Sequence, residues 1–372
     1  MDWNNEKDVL RAVKKDGLKL EYASEELRNN PKVVISAAEQ NIFSLVFASD
    51  KLKSNKEFIE KAVIEYDYNY FRAASPELQN DKDFILKLAD KKVDVLFYIS
   101  LELANDKDFL YKIKDLKKDT SDLLLKYASP ELQNDKDFVL NFVNRNGLEL
   151  RAASKTLQDD KDIVLAAVRN NGVSLNFASP ALKNDKEIVM EAIRQDGRNI
   201  LSASNELRNN KEIVLEAVKK NSLALLWAST TLKNDKEIAM EAIKKDGSLF
   251  KYISDELQHD DTMISKLIEK DGRNLKYIPF TLKNNRDIVS NTVQNNGMAL
   301  EWASSRLRDD FNIVKEAVNQ NRMSFTFAGD KLKEKYPTVD KFIATTKEKD
   351  KSKELPKERA TRSRARSKGN ER

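Results

Sequence analysis

The sequence predicts an all-α fold, an α-solenoid or superhelix of thirteen two-helix repeats, each of roughly 25 residues. The first observation behind this is a dipeptide, Ala-Ser or a close substitute, that returns about every 25 residues, with one step of 26 and one of 29. The second is that each interval holds two amphipathic helix patterns separated by a stop signal. Such a steady period is typical of stacked repeats that share one continuous core. The first residues of the dipeptides are Ala23, Ala48, Ala74, Ile99, Ala128, Ala153, Ala178, Ala203, Ala228, Ile253, Ile278, Ala303 and Ala328.

The unit that starts at Asn209 illustrates the first helix of a repeat. Asn209 and Glu212 have the spacing of a capping box, in which both side chains pair with free backbone N–H groups. An apolar stripe follows at helical spacing over about three turns. The stripe consists of Ile213, Val214, Ala217 and Val218. The same cap is predicted at Asn105, Asn134, Asn184 and Asn234.

A glycine stands where this first helix should stop. We expect it to be the residue after the helix, in the left-handed conformation that glycine adopts without strain. The positions are Gly17, Gly147, Gly172, Gly197, Gly247, Gly272 and Gly297. A second helix of about two turns is then predicted up to the Ala-Ser pair. Ser-Pro steps at Ser75, Ser129 and Ser179 predict that a new short turn begins there.

Residues 1–336 are predicted to form the repeat array, 337–346 a capping helix and 347–372 a disordered basic tail. Thr338 is expected to cap that last helix, and Phe342 to cover the open end of the stack. Two insertions interrupt the period, one near Tyr66 and one within 112–122. They predict either tolerated loops or a kink between a short N-terminal arm and a longer regular one.

The formal charge of +5 is unevenly distributed. From Lys331 onward there are 15 Lys or Arg and 7 Asp or Glu, a net of +8, so the first 330 residues carry about −3. The chain has no cysteine and no apolar run of membrane-spanning length. The polar N-terminus lacks the features of a signal peptide. We therefore predict a cytoplasmic protein without membrane association, and leave nuclear targeting or specialised secretion open.

No residue set with catalytic, cofactor-binding or metal-binding spacing is evident. The one histidine, His259, is predicted to lie in a solvated turn, and a zinc site would need further His or Cys ligands. Phosphate-binding and nucleophile motifs are missing from the sequence. We therefore expect no enzymatic activity, no cofactor and no small-molecule substrate.

Partner recognition is expected instead at positions that vary while the repeat frame stays constant. The position two before the dipeptide is such a slot, and we predict it to be part of an exposed strip on the second helices. The position four before the dipeptide is predicted to flank the same strip. The alternative is that both are ordinary solvent-facing positions. The candidate partner-binding residues are Arg72, Lys126, Arg151, Asn176, Leu201, Leu226, Lys251, Lys276 and Glu301.

The residue immediately before the dipeptide is aromatic in most repeats, as at Tyr22, Trp227 and Trp302. A row of rings is compatible with base stacking. Packing between layers is the preferred interpretation, since Ala-Ser supplies little bulk.

The C-terminal tail contains a basic run that could contact phosphates without reading sequence. A localisation or secretion signal, or a solubilising end, explains it equally well. The residues concerned are Arg359, Arg362, Arg364, Arg366 and Lys368.

The Asn-Asp-Lys-Glu start, the Asn-Gly stop and the Leu-x-x-Ala-Ser-x-x-Leu close resemble a tandem helical-repeat family catalogued as a domain of unknown function, DUF4116. The resemblance covers about residues 2–333, with two present units per family domain. It implies an all-helical fold and transfers no activity or site residue. Ile99, Ile253, the Ile278-Pro279 pair and the basic tail depart from the pattern.

The leading functional hypothesis is a non-enzymatic scaffold that binds a protein or peptide along its concave face. The second is a nucleic-acid-binding protein that uses the tail and the variable strip, against which the mildly acidic body argues. A third is a structural component that self-assembles through its end repeats.

Overall fold

The computed structural model describes residues 1–91, 94–117 and 123–349, and these contain helices but no strand. The chain divides into two compact units, Met1–Ala192 and Ile193–Arg372. Both are built from the same succession of a long α-helix, a 3₁₀ helix and a third, short helix. The boundary between the units falls inside the long helix Lys186–Gln195.

The long helices pack in chain order within each unit and supply a large part of its core. In the first unit they are Glu6–Val13, Pro31–Gln40, Lys56–Glu65, Lys82–Asp90, Lys107–Leu116, Lys136–Arg145 and Lys161–Asn170. In the second they are Lys211–Lys220, Lys236–Lys245, Asp261–Lys270, Arg286–Asn295 and Phe311–Gln320. The predicted apolar stripe is confirmed, since all four of its residues in Lys211–Lys220 are fully buried.

The predicted N-caps of these helices are wrong by one residue. The side chain of Asn210, not Asn209, accepts the N–H of Ile213 at 3.2 Å. Likewise Asp106, Asp135, Asp185 and Asp235 take the positions assigned to the asparagines before them. Because the cap lies one residue later, Glu212 falls at the second helical residue and no capping box forms.

The second helix of each repeat is a 3₁₀ helix. In most repeats an Asn or Asp caps it through the N–H two residues on, as Asn221 does for Leu223 at 3.1 Å, but Leu96–Tyr98 and Leu125–Tyr127 lack such a cap. In the first unit these helices are Gly17–Tyr22, Ile42–Phe47, Tyr68–Ala73, Leu96–Tyr98, Leu125–Tyr127, Gly147–Ala152 and Gly172–Phe177. In the second they are Gly197–Ser202, Ser222–Trp227, Gly247–Tyr252, Gly272–Tyr277, Gly297–Trp302 and Arg322–Phe327.

The glycines serve close packing rather than a left-handed turn. Each is the first residue of a 3₁₀ helix, preceded by an extended residue such as Asp196 at φ −150°. A Cβ on Gly197 would lie 2.0 Å from the carbonyl oxygen of Ala217 in the next repeat, and one on Gly147 would lie 2.1 Å from that of Ala167. The expectation of a left-handed helix stop is therefore wrong, and the glycine sets how closely consecutive repeats approach.

The short third helices start at the serine of the dipeptide, as the Ser-Pro steps predict. The hydroxyl of Ser229 accepts the N–H of Leu232 at 3.2 Å, and Leu232 is buried. The short α-helices are Glu25–Arg28, Asp50–Lys53, Pro76–Gln79, Leu101–Ala104, Pro130–Gln133, Thr230–Lys233, Asp255–Gln258, Ser305–Arg308 and Asp330–Lys335. Short 3₁₀ helices replace them at Leu157–Asp159, Leu182–Asn184, Leu207–Asn209 and Leu282–Asn284.

The same serine also joins its repeat to the preceding one, through what we call the Ser–Asn clasp. Its N–H donates to a carbonyl of the previous short helix, as Ser229 does to Arg208 at 3.1 Å. Its hydroxyl donates to the side-chain oxygen of the Asn or Asp that ends or directly follows that short helix. The hydroxyl pairs are Ser49–Asn29, Ser100–Asn80, Ser129–Asn105, Ser154–Asn134, Ser179–Asp159, Ser229–Asn209, Ser254–Asn234 and Ser304–Asn284.

A second set of links, the Lys–Asp ladder, joins the N-termini of consecutive long helices. The first residue of one helix pairs with the N-cap carboxylate of the next, as Lys236 does with Asp260 at 2.8 Å. The other pairs are Lys56–Asp81, Lys82–Asp106, Lys107–Asp135, Lys136–Asp160, Lys161–Asp185, Lys211–Asp235 and Arg286–Asp310. These pairs are partly exposed, so each contributes little alone.

The array ends in a helix over 339–349, to which residues 347–349 of the predicted tail belong. The hydroxyl of Thr338 accepts the N–H of Lys341 at 3.3 Å. Phe342 is fully buried among aromatic rings, including Phe311 at 5.1 Å and Tyr336 at 5.4 Å between centroids. The rest of the predicted tail and residues 118–122 of the larger insertion lie outside the described residues.

Glu149 is a buried acid with a local structural role. Its carboxylate accepts the N–H groups of Leu124 and Leu125 at 2.7 and 3.0 Å. These begin the shortened 3₁₀ helix Leu125–Tyr127, which has no side-chain cap of its own. Glu149 therefore supplies the missing cap from the following repeat, although burial raises the pKa of its carboxyl.

Candidate partner-binding surface

The position two before the dipeptide lies on the 3₁₀ helices and faces solvent, as predicted. Leu226 is half-buried, and the other eight candidate residues are exposed. In the first unit the candidates are Arg72, Lys126, Arg151 and Asn176; in the second they are Leu201, Leu226, Lys251, Lys276 and Glu301. Because 3₁₀ helices of neighbouring repeats pack side by side within each unit, these residues form one row per unit.

The position four before the dipeptide is not part of this strip. Its occupants are mostly buried, among them Ser174, Ala224, Leu249 and Ala299, while Asn199 and Asn274 are half-buried. The cause is the helix type. A 3₁₀ helix has about three residues per turn, so positions three apart share a face and positions two apart do not.

The true neighbour of the candidate slot is therefore the position three residues earlier, which the sequence analysis missed. This position holds exposed apolar side chains in several repeats. Phe43 is 59% exposed, next to Val46 at 65%. The others are Leu18, Val173, Leu223 and Met323. These apolar residues stand three positions before the variable candidate residues. That spacing was the signal that could have revealed them.

Four candidate cations lie over aromatic rings of this surface. The guanidinium of Arg72 is 5.1 Å from the ring centre of Phe43. The ammonium of Lys126 lies between two rings, 4.8 Å from Phe97 and 4.6 Å from Tyr127. Lys251 over Tyr252 and Lys276 over Tyr277 repeat the arrangement in the second unit. Such contacts hold a cation in place while leaving it open to a partner.

The aromatic position itself is less buried than the core interpretation predicts. Tyr22, Tyr252 and Trp302 are exposed, and Trp227 is half-buried. Tyr127 is the one member of the row that is buried among the described residues. Most of the rings are thus partly or largely exposed, whereas leucines of the same 3₁₀ helices, such as Leu225 and Leu300, are fully buried.

The backbone of the strip is held by the side chain that follows the leucine of the short helix. The ammonium of Lys53 donates to the carbonyl of Val46 at 2.8 Å, and Lys233 does the same to Leu226 at 3.0 Å. Lys283 donates to Lys276 at 2.8 Å, and burial lowers the pKa of its ammonium. These bonds satisfy carbonyls at the end of a 3₁₀ helix and fix the candidate residues in position.

Clefts open at equivalent places along this surface. One, of about 780 Å³, lies between the 3₁₀ helices Ile42–Phe47 and Tyr68–Ala73 and is lined by Phe43, Val46 and Arg72 among others. A second, about 520 Å³, is lined by Arg151 and Asn176 among others. A third, about 290 Å³, lies beside Met323 near the end of the array. The first and third clefts combine several apolar side chains with a few polar groups, which suits side chains of a partner.

The other sequence-based candidates are not placed on this surface. Arg359, Arg362, Arg364, Arg366 and Lys368 lie outside the described residues. His259 is exposed at the end of a short helix, where its Nδ1 lies 2.8 Å from the carbonyl oxygen of Asp255. Within the described ranges, no group of three or more His, Cys, Asp or Glu side chains is placed to hold a metal ion. None of the described helices is long and apolar enough to span a membrane.

The fold and this surface define a tandem helical-repeat protein. The chain belongs to the family described as "Domain of unknown function (DUF4116)", whose model matches residues 5–53, 30–79, 55–104, 106–158, 160–208, 210–258, 260–308 and 285–333. Several consecutive matches overlap by about half of their length, so one family domain spans two of the repeats seen here. No curated protein and no solved structure matches the chain at a significant level.

Proposed function

We propose that the chain is a non-enzymatic helical-repeat scaffold that binds a protein or peptide along its rows of 3₁₀ helices, the side we take to be concave. The supporting observation is where exposed apolar side chains lie. Of the 18 exposed large hydrophobic residues in the described part of the chain, 12 are on 3₁₀ helices and two on long helices. Concentrated apolar exposure is typical of surfaces that contact other proteins.

The first four repeats carry the densest part of this surface. Their 3₁₀ helices expose Leu18, Tyr22, Phe43, Val46, Tyr68 and Phe97. The 780 Å³ cleft lies among them. Its lining includes the basic residues Lys53 and Arg72 and the acidic residues Asp50 and Glu77. Aromatic and arginine side chains around an apolar pocket are enriched where protein partners bind most tightly. We propose that the partner inserts an apolar side chain into this cleft.

Nucleic acid is the alternative partner. The four cations that lie over rings favour it, since stacked aromatic and basic groups bind single strands. The order of residues along the rows favours protein instead. In the first unit apolar Phe97 separates Arg72 from Lys126, and uncharged Asn176 follows Arg151. In the second unit Glu301 follows Lys276. A groove that follows a phosphate backbone should be continuously basic.

The protein hypothesis can be tested by selecting a displayed random-peptide library against the full chain. Selected peptides should bind the wild type in calorimetry and lose at least about tenfold in affinity with Phe43→Ser/Val46→Ser, because an apolar pocket loses its walls. The matched control is Ile64→Ser/Leu116→Ser, which removes exposed apolar groups from long helices and should leave affinity unchanged. Failure to enrich any peptide, or equal effects of both variants, would contradict the proposal.

The nucleic-acid alternative calls for titration of single- and double-stranded probes at two salt concentrations. The full chain is compared with a variant whose Arg359, Arg362, Arg364, Arg366 and Lys368 are replaced by glutamine. Binding that persists in this variant with a sequence preference would assign nucleic acid to the repeats and overturn the proposal. Salt-sensitive binding that disappears with the tail charges would make the tail a non-specific phosphate contact and leave the array to a protein partner.

A further inference from the structure

One junction in the second unit lacks the links that join its neighbours. It lies between the repeats of the long helices Asp261–Lys270 and Arg286–Asn295. At the clasp, Pro279 stands where nearly all other repeats have serine, and His259 stands where most have asparagine. Proline has neither an N–H nor a hydroxyl to donate. Both hydrogen bonds of the Ser–Asn clasp are therefore impossible here.

The Lys–Asp ladder is interrupted at the same junction. The lysine position is Asp261 and the N-cap position is Asn285, whose side chain accepts the N–H groups of its own helix. An aspartate and an asparagine form no ion pair. The adjacent rungs, Lys236–Asp260 at 2.8 Å and Arg286–Asp310 at 2.6 Å, are intact. Among the junctions between the five long helices Lys211–Lys220 to Phe311–Gln320, this is the one that lacks a rung.

Core packing is also looser between these two long helices. A cleft of about 320 Å³ separates them, lined by Ile264, Ile268 and Ile288 together with Glu269 and Asp287. Ile288 is half-buried. The residues at its position in neighbouring repeats, Ile213, Ile238 and Ile313, are at most 1% exposed. The cleft is open to solvent, so the side chains that line it forgo part of the contact energy that packed neighbours would supply.

The 3₁₀ side of the junction remains joined. The amide of Asn296 donates to Asp271 at 3.4 Å, and the helices Gly272–Tyr277 and Gly297–Trp302 pack together. Thr292 approaches Gly272 closely enough that a Cβ there would lie 3.3 Å from its methyl group. Contacts are thus extensive between the 3₁₀ helices and sparse between the long helices, which is the arrangement of a hinge.

We propose that this junction is a hinge of the second unit. The long helices Asp261–Lys270 and Arg286–Asn295 separate at their N-termini, and the packed 3₁₀ helices serve as the pivot. Opening changes the angle between the row Leu201, Leu226, Lys251, Lys276 and the residues from Glu301 onward. The array then adjusts the shape of its 3₁₀ surface at one defined point. This inference rests on the junction's own contacts and is independent of the proposed function.

The chain has no cysteine, so a single introduced thiol reports opening without background. Ile264→Cys faces the hinge cleft, and Val214→Cys occupies the equivalent buried position two repeats earlier. Under native conditions we expect a thiol reagent to modify Ile264→Cys at least about tenfold faster than Val214→Cys. Equal rates would overturn the hinge, because a closed interface protects both thiols alike.

A rescue variant separates motion from a merely static gap. Pro279→Ser/His259→Asn restores the clasp, and Asp261→Lys/Asn285→Asp restores the ladder. Two hydrogen bonds and an ion pair should slow modification of Ile264→Cys on the order of tenfold or more. A rate that does not change on rescue would identify a rigid cleft and contradict the hinge.

The reciprocal exchange serves as the matched control. Ser229→Pro/Asn209→His with Lys211→Asp/Asp235→Asn copies the hinge residues into a regular junction. Modification of Val214→Cys should then accelerate by a similar factor while circular dichroism retains the helical signal. If these four changes leave the rate unchanged, the missing links are not what opens the interface, and the proposal fails.

Discussion

The hydroxyl of Ser229 donates to the side-chain oxygen of Asn209, twenty residues earlier, at 2.6 Å. The same hydroxyl accepts the N–H of Leu232 at 3.2 Å, and so caps a helix as well as joining two repeats. One small side chain thus satisfies a helix terminus and fixes the register of its repeat on the preceding one. This double role explains why serine recurs at this position in nearly every repeat.

Ser229→Ala should lower the free energy of unfolding by about 1–2 kcal/mol, the usual cost of removing a serine cap with its partner left in place. Thr230→Ala is the matched control, since this residue is exposed on the same short helix. Denaturant unfolding of both variants by circular dichroism measures the difference. Equal effects of the two substitutions would show that the clasp adds no stability.

Gly197→Ala should destabilise the second unit by about 1–3 kcal/mol, because the new methyl group would meet the carbonyl of Ala217 and force the repeats apart. Ser222 occupies the same position in the next repeat and already carries a side chain. Ser222→Ala should therefore change stability by less than about 0.5 kcal/mol. A thermal melt that shows no difference between these variants would refute close packing as the reason for glycine.

Glu149→Ala should cost about 2–3 kcal/mol at neutral pH, since it leaves the N–H groups of Leu124 and Leu125 buried without an acceptor. Glu149→Gln should cost less because it keeps one acceptor oxygen. The exposed Glu301→Gln is the control and should be nearly neutral. Unfolding midpoints in urea distinguish the three, and a neutral Glu149→Ala would contradict the capping role.

The pH dependence of Glu149 has a defined sign. Burial raises the pKa of its carboxyl above the ordinary 4.5, so the folded chain holds this proton more tightly than the unfolded chain. The tighter binding of this proton adds to the free energy of unfolding. This contribution is fully present below pH 4.5 and is lost as the pH rises through the raised pKa. The difference in stability between wild type and Glu149→Gln should therefore shrink from acid to neutral pH.

The Lys–Asp ladder should respond to pH in the opposite direction. Lys107 lowers the pKa of Asp135, and Lys236 lowers that of Asp260, from the ordinary value of 3.8. Such carboxylates stabilise the fold above 3.8, and this contribution disappears as the pH falls through their lowered pKa values. Urea unfolding at pH values below about 4 should show falling stability. Asp135→Asn, which can still cap its helix, should have a shallower pH dependence, and an unchanged slope would contradict this role.

The sequence was sufficient for the helical repeats, since the repeat period and stripes such as Ile213 to Val218 depend only on local pattern. It was misleading where two similar residues stand side by side. Asn209 and Asn210 are chemically identical, yet one joins repeats and the other caps a helix. Which asparagine does which depends on the position of Ser229, which is set only when the repeats pack.

The candidate surface was predicted only in part. The exposure of Lys251 and Lys276 follows from their variability among repeats, and the structure agrees. The burial of Ala224 and Leu249 was missed because two-turn segments give too few residues to distinguish three per turn from 3.6. Gly197 carried a further ambiguity, since the same residue marks left-handed turns and close contacts, and only the position of Ala217 in the next repeat decides between them.

Each clasp and each rung of the ladder among the described residues joins a repeat only to its immediate neighbour. A segment of one repeat length therefore carries one donor for the repeat before it and one acceptor for the repeat after it, as Ser229 and Asn234 do. Duplication of such a segment in the gene would insert a unit that is already complementary at both ends. Chain length can thus change by whole repeats without compensating substitutions elsewhere, and paralogues of different length should keep the same junction chemistry.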